Sequence, residues 1–343
     1  MRKLLNTLFV LSDDHYLTLK GETVSILRGK EEVACFPLLT LESIMCFSYA
    51  GASPALMGAC AEKGIQLSFF SPRGKFLASV FGEMRGNVIL RQTQYRLSDN
   101  EKACAEIAKS FILGKIYNAR WVLERATRDH PQRVPVDKLK EKSAHLAAML
   151  PIVEAADSVE TIRGLEGEAA QQYFTAFDDL ILQQKTVFVF QGRSRRPPID
   201  RVNALLSYTY TILARDCASA LSGVGLDPFV GFMHRPRPGR SSLALDLMEE
   251  LRPVYADRFV LSCINQKMMQ EKHFDVQENG AVFLNDVGRK AFFTAWQKRK
   301  QEAIKHPFLE EKIQWGLIPY VQALLLARTL RGDLDRYPPF FWK

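Results

Sequence analysis

Cysteine is scarce and carries no pattern. The six cysteines lie at 35, 46, 60, 104, 217 and 263, with no C-x-x-C pair and no clustering with histidine, which excludes a disulfide framework and a cysteine zinc site. They read as reduced core thiols. Long apolar runs are also missing: the longest uncharged stretch near the C-terminus, Trp315 to Ala327, is too short to span a bilayer and contains Gln322. The opening Met1-Arg2-Lys3 followed by Leu4 to Leu11 imitates a signal peptide. Asn6 and Thr7 interrupt it, however, and Ser12-Asp13-Asp14 stands where a small-residue cleavage site would be, so a first β-strand is expected. There is no low-complexity tract and no internal repeat. These absences together predict a cytoplasmic protein with no membrane partner. Negative charge is in deficit as well, 38 acidic residues against 46 Lys and Arg, and the resulting +8 favours polyanionic partners without naming one.

What is present suits a folded protein. At 343 residues, with 47% hydrophobic and 24% charged residues, the chain has the size of roughly two domains, each able to bury a core. Short apolar runs at Leu8–Leu11, Tyr16–Leu19, Thr23–Leu27 and Val33–Phe36 are separated by Asp, Gly and Lys, as in antiparallel strands. Gly21 and Gly29 fall where hairpin turns are expected. Ala52 to Lys63 reads as one helix with a first-turn Pro54, before strands at Ile65–Phe70 and Phe76–Phe81. From Gly86 onward apolar residues recur at three- and four-residue steps, over Arg91–Arg128 and Leu139–Val153, and the chain turns helical to about Arg331. The predicted fold is therefore α+β: a small antiparallel β-domain over residues 1–84, a linker near Gly82–Gly86, and a larger all-helical domain over 85–343.

Three places carry candidate chemistry. Glu166 lies on one helical face with Ala170, Tyr173 and Phe177, so a carboxylate heads an apolar stripe and needs a cation, a metal or a proton if it is buried. The plainer alternative is a first-turn glutamate beside a positive helix end. His234 closes an apolar run and opens a Gly- and Pro-rich basic loop with Arg235, Arg237 and Arg240, which holds an imidazole at a core edge as a ligand or as an ordinary hydrogen-bonded residue. A helix opened by Ser241-Ser242 carries a Leu243, Leu247, Leu251 stripe, with Asp246, Glu249 and Glu250 on another side; a solvated acidic face is the plainer reading. One imidazole and carboxylates gathered in a basic protein can hold a divalent metal against a phosphodiester.

Three segments in this order, Leu165-Glu-Gly-Glu-Ala-Ala-Gln-Gln-Tyr-Phe174, Arg195-Arg-Pro-Pro-Ile-Asp-Arg-Val-Asn-Ala-Leu-Leu206, and Gly225 to His234 continuing through Ser242-Leu-Ala-Leu-Asp-Leu-Met-Glu-Glu-Leu-Arg-Pro253, strongly resemble the CRISPR-associated adaptation integrases, the first of the two universal spacer-acquisition proteins. The resemblance covers essentially the whole chain, and Val88-Ile-Leu-Arg-Gln-Thr-Gln-Tyr95 shares it. It implies an N-terminal β-domain used in dimer formation and a helical domain carrying a metal site. Carried over residue by residue, the metal-binding and catalytic residues fall on Glu166, His234 and Glu249, with Asp246 as a supporting acid or, with roles exchanged, the third ligand.

The resemblance further implies transesterification, in which the 3′-hydroxyl of a captured DNA fragment attacks a phosphodiester of CRISPR repeat DNA, with Mg²⁺ or Mn²⁺ as cofactor. Around the site, Arg193, Arg195, Arg196 and Arg201 form one basic segment and Arg235, Arg237 and Arg240 another, both suited to phosphate contacts. Arg289, Lys290, Lys298, Arg299 and Lys300, on a predicted late helix, extend the DNA path or form a solvated face. Tyr173, Tyr208 and Tyr210 suit helix packing or contacts to DNA. The implied assembly is a homodimer, two of which are bridged by a small ferredoxin-like adaptation partner into a heterohexamer, with a RecB-like CRISPR nuclease as a further partner and a type I system as the setting. Two other readings compete: a non-catalytic DNA-binding scaffold whose acids merely pair with arginines, and a stand-alone metal nuclease acting on branched DNA.

Overall fold

A computed structural model describes residues 7–10, 12–41, 43–71, 76–80, 82, 88–194 and 197–343. Its N-terminal part holds two sheets. Strands β2 (His15–Lys20), β3 (Thr23–Arg28) and β4 (Glu31–Pro37) form an antiparallel meander. The two-residue turns between them need a left-handed residue, which Gly21 at φ 57° and Gly29 at φ 62° supply. The other sheet has the order β1 (Thr7–Val10), β5 (Ser43–Cys46), β6 (Gln66–Phe70), β7 (Phe76–Val80). Only its β6–β7 pair is antiparallel; β1–β5 and β5–β6 run parallel.

The parallel pairing departs from the expected all-antiparallel arrangement. Period-2 alternation fixes which face a side chain takes and says nothing of strand direction. Helix α1 (Pro54–Lys63) makes the β5–β6 crossover, capped by the Ser53 hydroxyl on the Leu56 N–H and closed by left-handed Gly64. Aliphatic residues from both sheets and α1, among them Leu17, Val24, Ile44, Leu56 and Leu67, make a first core.

Helices dominate the rest. They are α2 (Val88–Ser98), α3 (Glu101–Asp129), α4 (Val136–Ala155), α5 (Val159–Thr175), α6 (Arg201–Gly223), α7 (Ser242–Glu249), α8 (Arg258–Asn265), α9 (Asp286–Gln301) and α10 (Ile318–Leu330). Asp99-Asn100 breaks the helical run expected over Arg91–Arg128, because the Asn100 side chain accepts the Ala103 N–H and starts α3 afresh. Of the expected linker, residues 83–86 lie outside the described residues. This region is not wholly helical: two hairpins, β8 (Phe274–Val276) with β9 (Val282–Leu284) and β10 (Ala303–Lys305) with β11 (Lys312–Gln314), flank α9. A second, larger core gathers the helices around α3, and Met45, Phe47 and Phe70 of the sheet region join it. Among the described residues no helix is long and apolar enough to cross a membrane.

Candidate metal and nucleic-acid site

Glu166 sits eight residues into α5's line from its Ser158 cap, so it is a mid-helix carboxylate rather than a first-turn one. Across from it α3 presents Lys115, a buried ammonium. Lys115 Nζ donates to Glu166 Oε1 and, at 2.7 Å, to Glu249 Oε2. Arg252 holds the other Glu249 oxygen at 3.0 Å. Burial alone would raise the Glu249 carboxyl, but Arg252, Lys115 and His234 outweigh it and hold it well below the usual carboxylate range.

Asp246 and Glu249 of α7 and Glu250 at its C-cap are buried, not solvated: Asp246 is 0%, Glu249 2% and Glu250 0% exposed. They take different partners. Asp246 accepts the Phe232 and Met233 N–H groups on Oδ2 at 2.7 and 3.0 Å, and the His234 N–H on Oδ1 at 2.9 Å. Oδ1 also lies 2.6 Å from His234 Nδ1. This close approach needs Gly231, where a Cβ would stand 2.7 Å from Asp246 Oδ2 and 2.8 Å from the Ser242 carbonyl carbon. Gln94 of α2 holds the same loop from behind, donating to the Asp227 and Val230 carbonyls at 2.8 Å each and accepting the Asp227 N–H. Arg163 of α5 donates to the Met233 carbonyl at 2.8 Å. The imidazole is thus fixed by a carboxylate and by two helices, and among the described residues its Nε2 has no hydrogen-bond partner.

Glu250 turns the other way. Its oxygens accept the Tyr337 O–H, the Gln322 side-chain amide at 2.9 Å and the Phe340 N–H at 2.7 Å, while burial pushes its carboxyl up to about 7. Asn118, three residues after Lys115, donates to the Glu250 and Phe340 carbonyls and accepts the Trp342 N–H. The C-terminal segment is in this way tied to the two helices that bring Lys115 and Glu249 together.

Between α7 and α8 the chain widens into a π-helical turn, Arg252–Asp257, at Pro253, which has no N–H to donate. The turn places Arg252 against Glu249 and also 4.9 Å from the Tyr210 ring centroid, with Arg193 at 5.1 Å from the same ring. Tyr210 O–H donates to Asp257 at 2.5 Å, and burial raises the Asp257 carboxyl to about 6 against the pull of Tyr210, Arg193, Arg252 and Lys115. Tyr173 and Tyr208 pack in the aromatic core.

The basic residues divide. Arg193 bonds Asn203 and Ser207 beside Tyr210, and Arg201 reaches Glu271 at 2.7 Å and the Val187 carbonyl. Arg235 is exposed and meets Glu160 at 3.3 Å. Among the described residues Arg237 and Arg240 have no carboxylate partner. Arg195 and Arg196 lie outside the described residues. The late helix corrects the expectation for Arg289. Its guanidinium is buried and bound to Asp286 and the Leu284 carbonyl, so it is no surface cation, and Lys300 is likewise buried near Asp216. Lys290 and Lys298 are exposed.

No three His, Cys, Asp or Glu side chains among the described residues stand close enough to make a ready metal cluster. The donor set nevertheless fits a divalent ion. Two carboxylates already share one cation, the Lys115 ammonium, and His234, whose charge acts on Glu249, has a ring nitrogen with no hydrogen-bond partner among the described residues. Lys115, Arg252, Gln94 and Asn118 were missed in the sequence. The available signal was polar residues on apolar helix faces: Gln94 follows Leu90 by one turn, and Lys115 and Asn118 interrupt the buried run Phe111 to Ala119.

A family model described as CRISPR associated protein Cas1 matches residues 8–298. A CRISPR-associated endonuclease Cas1 from Chlorobaculum tepidum is 48% identical over 343 residues, the full length of both chains. Among solved structures, a casposase bound to integration product superposes with a TM-score of 0.84 at 23% identity, covering 98% of this chain and 93% of that one. A Cas6-RT-Cas1–Cas2 complex superposes with a TM-score of 0.79 at 22% identity, covering 98% of this chain and 36% of the other. These two likenesses establish the fold.

Proposed function

The chain belongs to the Cas1 family of CRISPR-associated endonucleases, and from that premise we propose that it joins the 3′-hydroxyl ends of captured DNA fragments to CRISPR repeat DNA at the Glu166–His234–Glu249 site. The observation that carries the reading is the convergence of Glu166 and Glu249 on one cation, beside an imidazole whose other nitrogen is tied to a buried aspartate. Glu166, Glu249 and His234 Nε2 hold the metal, Mg²⁺ or Mn²⁺. When bound, the ion polarises the phosphate and lowers the pKa of the attacking hydroxyl.

Each protein group has a defined task. Asp246 already accepts four hydrogen bonds, which fills the acceptor sites of a carboxylate, so it orients His234 rather than binding the ion. With a proton held on Nδ1, the imidazole keeps its Nε2 lone pair for a ligand. Arg252 fixes the rotamer of Glu249. Arg237 and Arg240, on the loop that carries His234, contact DNA phosphates, with Arg235 and Lys290 at the edge of the same path. The β-rich region forms the dimer contact, and a small ferredoxin-like partner bridges two dimers. The Cas6-RT-Cas1–Cas2 complex supports Cas2 as a partner, and a RecB-like nuclease is a further one in this reading.

The rival scaffold reading draws on the same contacts, because Lys115 and Arg252 already neutralise Glu249. Strand transfer separates the two. Purified protein with its small partner, a 3′-hydroxyl fragment and a supercoiled repeat plasmid is expected to give Mn²⁺-dependent joining that is lost in Glu166→Ala, His234→Ala and Glu249→Ala. Joining unaffected by these substitutions overturns the site, and product formed equally from a 3′-blocked fragment makes the protein a hydrolytic nuclease instead.

A further inference from the structure

Away from that site, a cavity of about 300 Å³ opens between the C-terminal end of α3 and helix α8. Its lining includes Arg125, Arg133, Arg258, Asp129, His130 and Gln266. Three arginines therefore share the lining with one carboxylate, Asp129, whose Oδ1 accepts from Arg128 at 2.9 Å and whose carboxyl Arg128, Arg125 and His130 together hold below the usual range. Arg125 and Arg258 both lie against one indole, 4.5 and 4.3 Å from the Trp342 ring centroid. Among the described residues neither makes a salt bridge, Asp129 acting on both only at longer range, and the Arg125 Nε is buried with no hydrogen bond. Arg133 uses one nitrogen on the Leu182 carbonyl at 2.7 Å.

Such an arrangement is costly without an anion. Two like charges share one ring, and Arg258 is desolvated enough, with Arg299 and Arg125 nearby, for its pKa to fall to about 10. Stacking on Trp342 satisfies the faces of the guanidiniums but not their N–H edges, which form the planar fork that matches phosphate oxygens. We propose that this cavity is a phosphate-binding site, distinct from the metal-site carboxylates, which takes a backbone phosphate of the DNA. The choice of DNA over a free phosphate or nucleotide rests on the DNA-joining reading above; the anion site itself does not.

The test is DNA binding in EDTA, where no metal and no joining contribute. A fluorescein-labelled duplex with single-stranded 3′ ends is titrated by anisotropy at several salt concentrations against wild type, Arg125→Met/Arg258→Met and Arg133→Gln. The double variant is expected to bind roughly tenfold more weakly, with a salt slope shallower by one to two counterions, and Arg133→Gln to show a smaller loss of the same kind. Inorganic phosphate is titrated in parallel by thermal melting, where wild type is expected to be stabilised and the variants not. If the double variant fails to fold after losing its clamp on Trp342, Arg133→Gln decides, since it does not stack on that ring. Unchanged DNA affinity and salt slope overturn the DNA assignment. If phosphate still raises the melting temperature of wild type alone, the ligand is a free anion; if it does not, the site falls altogether. A protein that binds in this way yet never joins ends would fail the proposed function and leave the phosphate site standing.

Discussion

The β-rich region and the helical region bury different things. Among the described residues, every buried Asp, Glu, Lys or Arg side chain, from Lys109 and Lys115 through Asp246, Glu249, Glu250 and Asp257 to Arg289 and Lys300, belongs to the helical region. The core of the β-rich region is aliphatic and thiol, and its buried polar groups are Ser25, Ser48, Gln66, Ser68 and Ser71. An apolar core gains stability from each buried methylene, whereas a buried charge has to be matched by a partner and is retained where its chemistry or geometry is needed. The contrast teaches that apolar packing stabilises both regions while buried charge is confined to one, a separation that Phe47 and Phe70 cross by joining the helical core.

The largest expected effect tests that separation. Leu17 is fully buried in the first core, and its backbone is held by the Gly51 carbonyl and the Ser53 N–H. Leu17→Ala is expected to cost about 2–5 kcal/mol in urea unfolding. Mn²⁺ affinity of the folded protein, read by calorimetry, is expected to stay within twofold of wild type. A large fall in Mn²⁺ affinity would mean that the sheet region shapes the metal site through Phe47 and Phe70, and the comparison would break.

A second, smaller effect of opposite character belongs to the helical region. Asp257 is buried beside Tyr210, and its carboxyl is raised from 3.8 to about 6. The folded state therefore binds a proton that the unfolded state releases more readily. Stability from this group is full below about pH 4 and is lost as the pH climbs through about 6, a change of about 3 kcal/mol. Asp257→Asn, which keeps an oxygen for the Tyr210 hydroxyl, is expected to gain on wild type in melting temperature as the pH rises from 4 to 7. Parallel pH profiles for the two proteins would count against a raised Asp257.

The same division explains what the sequence could tell. Alternation gave the short strands, and Gly21, Gly29 and Pro54 marked turns and a helix start, because each follows from local backbone sterics. Strand direction in β1–β5–β6 did not show, since it is decided by a crossover and not by residue type. In the helical region the motifs around Glu166, His234 and α7 were legible, yet the acids of α7 read as a solvated face as readily as a buried one. What decides their burial is non-local: Lys115 comes from 134 residues before Glu249, and the tail residue Phe340 from 90 after Glu250. Arg289 was misjudged for the same reason, because Asp286 one turn earlier and the Leu284 carbonyl bind it inside.

The smallest predicted effect is the most discriminating within the site, because it separates two acids one helical turn apart. In Asp246→Asn, an N–H₂ must replace one oxygen. It then faces either the Phe232 and Met233 N–H groups or the imidazole. The first arrangement sets donor against donor in a buried place, and the second moves the imidazole proton to Nε2 and removes the lone pair that a metal needs. Either way His234 loses its fixed orientation while Glu166 and Glu249 remain. A loss of roughly 10–100-fold in Mn²⁺ affinity is expected, the range for removing a group that orients a ligand. Glu249→Gln, which removes a charged ligand but leaves the His234 loop in place, is expected to lose more. If Asp246→Asn instead abolishes binding while Glu249→Gln retains it, the roles are exchanged: Asp246 is the third ligand, and Glu249 serves only to neutralise Lys115 and Arg252.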